Sequence, residues 1–438
     1  MKKLLPIIFL LSLPFSQRAS NIDSLFKQWT KKLEWARGFR FNGYAQVQFQ
    51  YAQEPGAKSY AAGNFDSLVN TRFSIRRGRM IPTYEYEDPK TGITRLHFSI
   101  QADFTERGVQ LMHAYGRFRE PFFNVLSIQG GLFNRPFGFE IGYTSRNRET
   151  PERGRMSQKL FPQERDLGGM IILEAPPKSK WNFFRLEAGV FNGMGLTPEV
   201  DKRKDFVGKL SLFHTFQLDT LKINQLNVSV GGSFLQSGTL HMNKDAYSWS
   251  VLDSTGLQGW LKSTDTSRIK TGYAAKQFWG VDMQIRFIHR INQKLGYSSE
   301  WRAELIGGKQ SGTAKSSDSF RSLNRDPLYT RSFLGGYFYW VNALLLPKGM
   351  EIQVVGKYDF YDPNTAVSGK SIGANPIAGI LETDIRYETF EVALNYIYNE
   401  HWKIMIAYAI PRNERTSLTG FDRDIRDNVL TTRLQFAF

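Results

Sequence analysis

The sequence predicts an all-β fold, a transmembrane antiparallel β-barrel of about sixteen strands with a short helix before it. Apolar and polar residues alternate with a period of two in segments of roughly 9–13 residues, which are long enough to cross a membrane as tilted strands. The connections between these segments alternate between short and long, as in membrane-spanning hairpin barrels. Mean hydropathy is only −0.38, which fits a barrel because its interior face and its loops are polar.

The first residues, 1–19, have the pattern of a secretory signal peptide. Lys2 and Lys3 precede the apolar run LLPIIFLLSLPF, and small or polar residues follow from Ser16 to Ala19. An anchor helix is the alternative, but the run contains two prolines and is shorter than the ~20 residues of a membrane helix. The pattern therefore predicts export and cleavage.

A short amphipathic helix in the periplasm is predicted over 20–38. One face of that helix would carry the apolar residues Ile22, Leu25, Phe26, Trp29 and Leu33, which recur at helical spacing. The alternative is an irregular segment that leads into the first strand.

The barrel is predicted over 39–438. Its first strand reads FRFNGYAQVQFQY, with Phe39, Phe41, Val47 and Phe49 on one face and mainly polar residues on the other. The predicted strands lie near 39–52, 69–84, 93–104, 109–119, 125–133, 167–175, 181–192, 206–217, 224–236, 276–288, 295–306, 335–346, 351–361, 383–398, 401–410 and 428–438.

Connection lengths orient this barrel. Short connections include 120–124, 176–180, 346–350 and 399–400, and long ones lie near 53–68, 134–166, 237–275, 307–334, 362–382 and 411–427. If both termini are periplasmic, every long connection lies outside the cell. The connection near 105–108 is then the one short outer loop.

The final segment, TTRLQFAF, alternates apolar with polar or small residues up to Phe438. A last strand that pairs with the first strand leaves no open edge, and lipid covers its apolar face. The segment therefore predicts closure of the barrel.

Composition and motifs exclude several functions. The chain has 57 Lys and Arg against 41 Asp and Glu, a formal charge of +16, but these basic residues are scattered, which argues against nucleic acid as a partner. There is no cysteine, and the six histidines lack metal-ligand spacing. The acidic stretch FDRDIRDN, 421–428, lacks the glycine and glutamate of a calcium loop. We find no hydrolase or nucleotide-binding motif, so we expect no enzyme, no metal site and no cofactor.

Three segments resemble the phosphate-selective porin O/P family of Gram-negative outer membranes. They are RFSIRRGRM (72–80), IQGGLFNRPFGFE (128–140) and FPQERDLGGMI (161–171). The terminal Phe438 is similar to the terminal aromatic residue that the barrel assembly machinery reads as a signal. The resemblance spans most of the barrel through loosely defined motifs.

This resemblance implies a sixteen-stranded trimeric anion channel, with arginines along its interior and a third loop that folds inward. The third outer connection in our strand count is 134–166, which agrees with that expectation. Its basic residues are candidates for a constriction: Arg135, Arg146, Arg148 and Lys159. Outer-membrane lipid and lipopolysaccharide are the expected surroundings.

The second strand contains a local conflict with strict alternation. Regular alternation would turn Arg77 and Arg79 toward lipid, where an arginine near the midplane costs about 2–4 kcal/mol. A β-bulge at Arg76–Arg77 would shift the phase by one residue. All four arginines of the strand would then face the interior: Arg72, Arg76, Arg77 and Arg79. The alternative is that Arg77 and Arg79 extend to the membrane interface.

Arg40 and Arg95, on the two neighbouring strands, share this interior phase. Together these six arginines predict an anion path, because guanidinium binds oxyanions and keeps its charge at all relevant pH values. We expect few acids to match them. We therefore predict a passive, anion-preferring channel for phosphate or similar oxyanions. The alternative is a structural or accessory barrel of a larger outer-membrane complex, with a plugged interior.

Overall fold

The structure is a computed structural model. It describes residues 38–58, 63–176, 179–199, 201–218, 224–240, 245–262, 273–292, 295–318 and 325–438. The predicted signal peptide, 1–19, and the predicted helix, 20–38 apart from its last residue, lie outside the described residues. No helix in the described ranges is long and apolar enough to cross a membrane.

Eighteen β-strands and one short α-helix make up the regular structure of the described residues, apart from isolated helical turns. The strands are β1 (Phe39–Ala52), β2 (Thr71–Glu87), β3 (Thr94–Thr105), β4 (Gly108–Arg119), β5 (Leu126–Asn134), β6 (Arg165–Glu174), β7 (Phe184–Phe191), β8 (Asp205–Gln217), β9 (Gln225–Leu240), β10 (Ala246–Val251), β11 (Gln258–Lys262), β12 (Tyr273–Arg290), β13 (Gly296–Gly312), β14 (Leu328–Leu345), β15 (Glu351–Asp362), β16 (Tyr387–Asn399), β17 (Trp402–Asn413) and β18 (Val429–Ala437). The helix is α1 (Arg155–Leu160).

Sixteen of the strands form a closed antiparallel barrel. Each of β1–β9 and β12–β18 pairs with its neighbour along the chain, β9 pairs with β12, and β18 pairs with β1. In the closing pair, Val47 lies opposite Leu434 and Phe49 lies opposite Thr432. The predicted strand number and the predicted closure are therefore confirmed, and neither edge of the sheet remains open.

The connection predicted at 237–275 contains structure that alternation alone did not indicate. Strands β9 and β12 extend into it, and β10 and β11 form a hairpin that pairs with the start of β14. Trp249 lies opposite Trp260, and Trp260 also contacts Tyr329 edge to face. Buried aromatic area of this kind stabilises strands that are too short to be recognised by periodicity.

The two faces of the barrel wall have opposite polarity. Exposed apolar side chains cover the outside, such as Phe73 and Phe390, whereas Gln46, Gln48 and Gln50 on β1 are buried toward the interior. A water-soluble barrel would show the reverse arrangement. The outer surface is therefore that of a transmembrane barrel.

The two ends of the barrel differ, and we call them the turn end and the loop end. At the turn end, brief connections join the strands, such as 120–125 and 346–350. The loop end carries the long connections, among them 53–70, 363–386 and 414–428. Among the connections between described strands at the loop end, 106–107, between β3 and β4, is the one that is as short as the turns at the other end.

Strand β2 contains the bulge predicted at its arginines. Gln46 lies opposite Arg77 and Val47 lies opposite Ile75, so Arg76 is the extra residue. Arg77 and Arg79 are buried in the interior, whereas Phe73 and Ile75 are exposed outside. The bulge is confirmed, and it removes the cost of placing two arginines in lipid.

The loop between β5 and β6, residues 135–164, lies inside the barrel. It contacts inward-facing side chains from strands around the wall, including Ser233, Asp359, Asn395, Lys403 and Gln435. Apolar residues anchor one side of it, because Phe137 and Phe161 pack on Phe278 of β12. The interior space that remains lies mainly along β2–β7.

Candidate functional site

Three arginines converge on one carboxylate in the interior, that of Glu152 in the 135–164 loop. Arg76 binds it through two hydrogen bonds of 2.7 and 2.9 Å. Arg77 on β2 and Arg433 on β18 each approach it to 3.0 Å. Strands from both sides of the barrel closure therefore hold the loop through a single acid.

The protonation state of Glu152 follows from its neighbours. Burial alone would raise the pKa of this carboxyl, but the guanidiniums of Arg76, Arg77 and Arg433 outweigh burial and hold the pKa well below its usual range. Glu152 is therefore ionised at neutral pH. Three cations around one anion leave a local positive excess.

Arg79 belongs to a second polar group one step closer to the turn end. Its guanidinium lies 3.2 Å from Asp103 of β3 and donates to the hydroxyls of Tyr44 and Ser145, at 2.9 and 3.1 Å. The Tyr44 and Ser145 hydroxyls are themselves hydrogen-bonded at 2.7 Å. This network fixes Arg79 between the wall and the loop.

Glu164, the last residue of the loop, lies between two further arginines. Its carboxylate is 3.0 Å from Arg153 and 3.2 Å from Arg165. Burial alone would raise the pKa of Glu164, but Arg153 and Arg165 outweigh it and hold the pKa at about 2. We call Arg79, Glu164 and Arg165 the junction triad, because all three line both of the cavities described next.

Two cavities adjoin at the junction triad. The loop-side cavity, of about 670 Å³, reaches Asn64, Leu196 and Asp318 in the loops at the loop end. The turn-side cavity, of about 350 Å³, extends along β3–β7 toward Arg117 and Glu187. The two cavities together follow the barrel axis, and the triad is their common boundary.

Basic residues outnumber acids along these cavities. The two linings together contain nine Lys or Arg and five Asp or Glu. The excess is larger in the turn-side cavity, where five arginines face two glutamates. Low-dielectric walls focus such a field and raise the local concentration of anions.

The predicted arginines occupy three different levels. Arg76, Arg77 and Arg79 line the loop-side cavity. Arg72 lies nearer the loop end, where it stacks on Phe65 and donates to backbone carbonyls of Gly63 and Asn64. The remaining two lie at the turn end.

At the turn end, Arg40 and Arg95 form local ion pairs. Arg40 is 3.3 Å from Glu85, and Arg95 is 2.9 Å from Asp88. Arg40 lies opposite Thr83, six residues from Arg77, which is about 20 Å at ~3.3 Å per residue. Arg40 and Arg95 therefore do not adjoin the arginines of the bulge.

The expectation that few acids match these arginines is wrong. Glu152 binds Arg76 and Arg77, Asp103 binds Arg79, and acids near the turns bind Arg40 and Arg95. Glu152 was missed because it lies in a loop, where strand phase gives no information. This pairing has a physical cause, because an unpaired charge buried inside the barrel would be costly.

The basic residues of the loop also differ in their surroundings. Arg148 lines the turn-side cavity, and Lys159 lines the loop-side cavity at 2.5 Å from Asp318. Arg135 lines neither of the two cavities, and its guanidinium lies 3.4 Å from the carboxylate of Asp205. Arg146 reaches the turn end, where it donates to the backbone carbonyl of Glu400. The role of the four in a constriction stays a prediction.

Sequence reasoning missed four residues that lie at the centre of the site. Glu152, Arg153 and Glu164 belong to the 135–164 loop, and Arg165 is the first residue of β6. Arg117 on β4 was also not singled out. The sequence did contain a signal for them, the Glu-Arg pair that occurs in RETPER and again in QER. Adjacent opposite charges of this kind suit a loop that lies in a polar interior.

Comparisons with known proteins give the fold. No family model matches the chain, and no curated protein sequence matches it, so the resemblance to phosphate-selective porins stays a hypothesis. The outer membrane channel DcaP of Acinetobacter baumannii matches 91% of this chain and 97% of its own, with a TM-score of 0.50 and 12% identity. OprB of Pseudomonas putida gives a TM-score of 0.49 at 10% identity, over 93% of this chain and 96% of its own. An anion-selective porin from Comamonas acidovorans gives a TM-score of 0.46 at 11% identity, over 91% of this chain and 99% of its own. The match to DcaP shows that the chain has the barrel fold of an outer-membrane channel.

Proposed function

We propose that the protein is a passive outer-membrane channel that prefers small anions, phosphate or similar oxyanions among them. One observation carries the proposal: two cavities adjoin along the barrel axis, and their linings contain nine basic and five acidic residues. The excess supports anion entry through the field that it creates. The turn end then faces the periplasm and the loop end the cell exterior.

The arrangement suits diffusion better than tight capture. Most of the arginines along the cavities are partly neutralised by acids, such as Glu152 and Glu164. An anion would therefore meet several weak sites in succession, which allows it to leave as readily as it enters. Guanidinium provides forked donors for phosphate and carboxylate at each level.

The first test is the reversal potential of the purified protein in planar bilayers under a potassium chloride gradient. We expect chloride to permeate better than potassium. Arg165→Gln removes one positive charge at the junction triad and should lower the chloride-to-potassium permeability ratio. Arg426→Gln removes the same charge from an exposed position in the long connection 414–428; it is the matched control and should leave the ratio unchanged. A wild-type channel that prefers potassium would refute anion preference.

A second candidate function is a structural barrel within a larger complex. The observation that favours it is the fixation of the 135–164 loop across the interior by buried ion pairs, including that of Arg302 with Glu149 at 2.5 Å. The same bilayer experiment separates the two functions. Correctly folded protein that never conducts would favour the structural role. Trimer formation, lipopolysaccharide contacts and recognition by the barrel assembly machinery are further proposals that belong to either function.

A further inference from the structure

The turn-side cavity has a second property besides its charge, an aromatic lining. Tyr115 of β4 lies beside Phe133 of β5, with ring centroids 5.9 Å apart. Tyr143 of the loop lines the same cavity from the interior side and stacks on Phe139 at 5.1 Å. Aromatic side chains therefore line the cavity from both the wall and the loop.

These rings are held in place by their own hydroxyl groups. The Tyr115 hydroxyl lies 3.2 Å from Nε2 of His97, and the Tyr143 hydroxyl donates to Glu149 at 2.9 Å. A ring whose polar end is already bound cannot turn to offer its hydroxyl to a ligand. Neighbours cover part of each ring, because His97 stacks on Tyr115 at 5.5 Å and the Arg302 guanidinium lies 4.8 Å from the Tyr143 centroid. The rings line the cavity with the carbon surface that these neighbours leave uncovered.

Two arginines of this cavity, Arg117 and Arg148, form no ion pair with a described acid, although Glu164 in the same lining attracts Arg148 electrostatically. Arg148 is 3% exposed, and it forms no ion pair with any described residue. It donates one hydrogen bond, to the carbonyl of Tyr143 at 3.3 Å, and its Nε has no partner in the described structure. Arg117 on β4 makes no side-chain hydrogen bond or ion pair within the described ranges, although it lines the cavity. Burying a cation without an ion-paired anion is costly, so an anion that enters this cavity beside Arg148 would reduce that cost.

Charge and shape together restrict the ligand. Inorganic phosphate would satisfy the arginines but would gain nothing from the tyrosine faces. An organic anion with a flat apolar body could use both, because its carboxylate binds guanidinium while its body displaces water from the rings. The cavity volume of about 350 Å³ is sufficient for a body the size of one aromatic ring.

We propose that the turn-side cavity is a binding site for organic carboxylates with a flat apolar body, with Arg117 and Arg148 at the charge and Tyr115 and Tyr143 at the body. The inference rests on the proposed function only in that solutes must reach the cavity through the barrel. It adds the chemical class of a preferred solute to that function. Acetate and inorganic phosphate are the ligands against which the preference is defined.

The test is block of the chloride current by added anions in planar bilayers. Sodium benzoate should reach half-block at about one tenth of the concentration that sodium acetate requires, because ring burial contributes about one order of magnitude in affinity. Tyr115→Leu should remove this difference while leaving acetate block unchanged. Arg117→Gln should weaken both anions, whereas Arg286→Gln, outside the cavity, should weaken neither.

Two outcomes would overturn the proposal. Equal block by benzoate and acetate would mean that the aromatic lining does not contribute, and strongest block by inorganic phosphate would mean a general oxyanion site. Both leave the proposed channel intact. If the folded protein does not conduct at all, the channel fails instead, and equilibrium dialysis of labelled benzoate against detergent-folded protein decides the site. Binding of wild type that Arg117→Gln weakens would support it, and no binding would refute it.

Discussion

Glu152 is the residue through which the loop and the barrel wall are joined electrostatically. Its carboxylate accepts from three guanidiniums that come from β2 and β18. These arginines would repel one another without it, because they share a buried space around the acid. Glu152 therefore lowers the positive charge of the loop-side cavity and stabilises the folded barrel at the same time.

Glu152→Gln should reveal both effects, because glutamine keeps the size of the side chain and removes only its charge. Loss of the carboxylate leaves buried cations unpaired and should lower the free energy of unfolding by about 3–5 kcal/mol. It should also raise the chloride-to-potassium permeability ratio. Thermal unfolding in detergent and reversal potentials measure the two effects.

The matched control is Glu54→Gln, because Glu54 pairs with Arg426 at 2.9 Å on an exposed surface. Such pairs contribute about 0–1 kcal/mol, so little change is expected. A Glu152→Gln protein with unchanged stability and selectivity would show that the three-arginine cluster does not depend on the acid.

At single residues, the sequence predicted which face of the barrel wall a side chain occupies, but not which residue it pairs with. The interior orientation of Arg77 and Arg79 followed from the cost of lipid exposure and one bulge, and the register bears it out. The acidic partner of Arg77, Glu152, lies 75 residues further along the chain. No local pattern connects the two, because loop residues have no fixed period and their contacts depend on how the loop folds.

The bulge in β2 is the element that places the arginines. Arg76 is the extra residue between the Ile75 and Arg77 pairs. Removing Arg76 therefore leaves a regular strand in which Ile75 still faces outside and Arg77 still faces inside. Removing Ser74 instead shifts the phase of the residues beside it, so an arginine turns to lipid and an apolar residue turns inward.

We expect the two single-residue deletions to differ sharply. Deletion of Arg76 should give folded barrels close to the wild-type yield, with Arg77 and Arg433 still bound to Glu152. Deletion of Ser74 should lower the folded yield severalfold, because it places an arginine near the hydrocarbon layer. The heat-modifiable band in gel electrophoresis measures the folded fraction. Equal yields would show that this part of β2 tolerates slippage.

Strand prediction worked for elements with a long alternating pattern and failed for the β10–β11 hairpin. The first predicted strand, 39–52, coincides with β1. Strands β10 and β11 have only six and five residues. Their own Trp249 and Trp260 pack on each other, and Trp260 packs on Tyr329 of the distant strand β14. Short elements fixed by tertiary contacts are invisible to periodicity.

On the scale of the whole molecule, the barrel is held closed by one strand pair that joins the two ends of the sheet. Strand β18 pairs with β1 over nine residues. Phe438 extends this pair, since its backbone exchanges two hydrogen bonds of 3.0 Å with Gly43. Its ring lies outside the barrel, where it stacks on Phe41 at a centroid distance of 5.8 Å. Phe438 therefore belongs to closure and to the lipid-facing surface, and it lines neither cavity.

Deletion of Phe438 should lower the amount of assembled barrel in cells without changing what the assembled barrel conducts. The physical reason is that the deletion removes two backbone hydrogen bonds and one aromatic pair from the closing seam, while every residue of the junction triad stays in place. Folded yield from membranes and the reversal potential of the surviving channels measure the two effects. Phe438→Tyr, which keeps the ring and the backbone pairing, should assemble normally. A deletion protein that assembles as well as wild type would argue against a role in closure, and a shifted reversal potential would show that the seam and the interior are coupled.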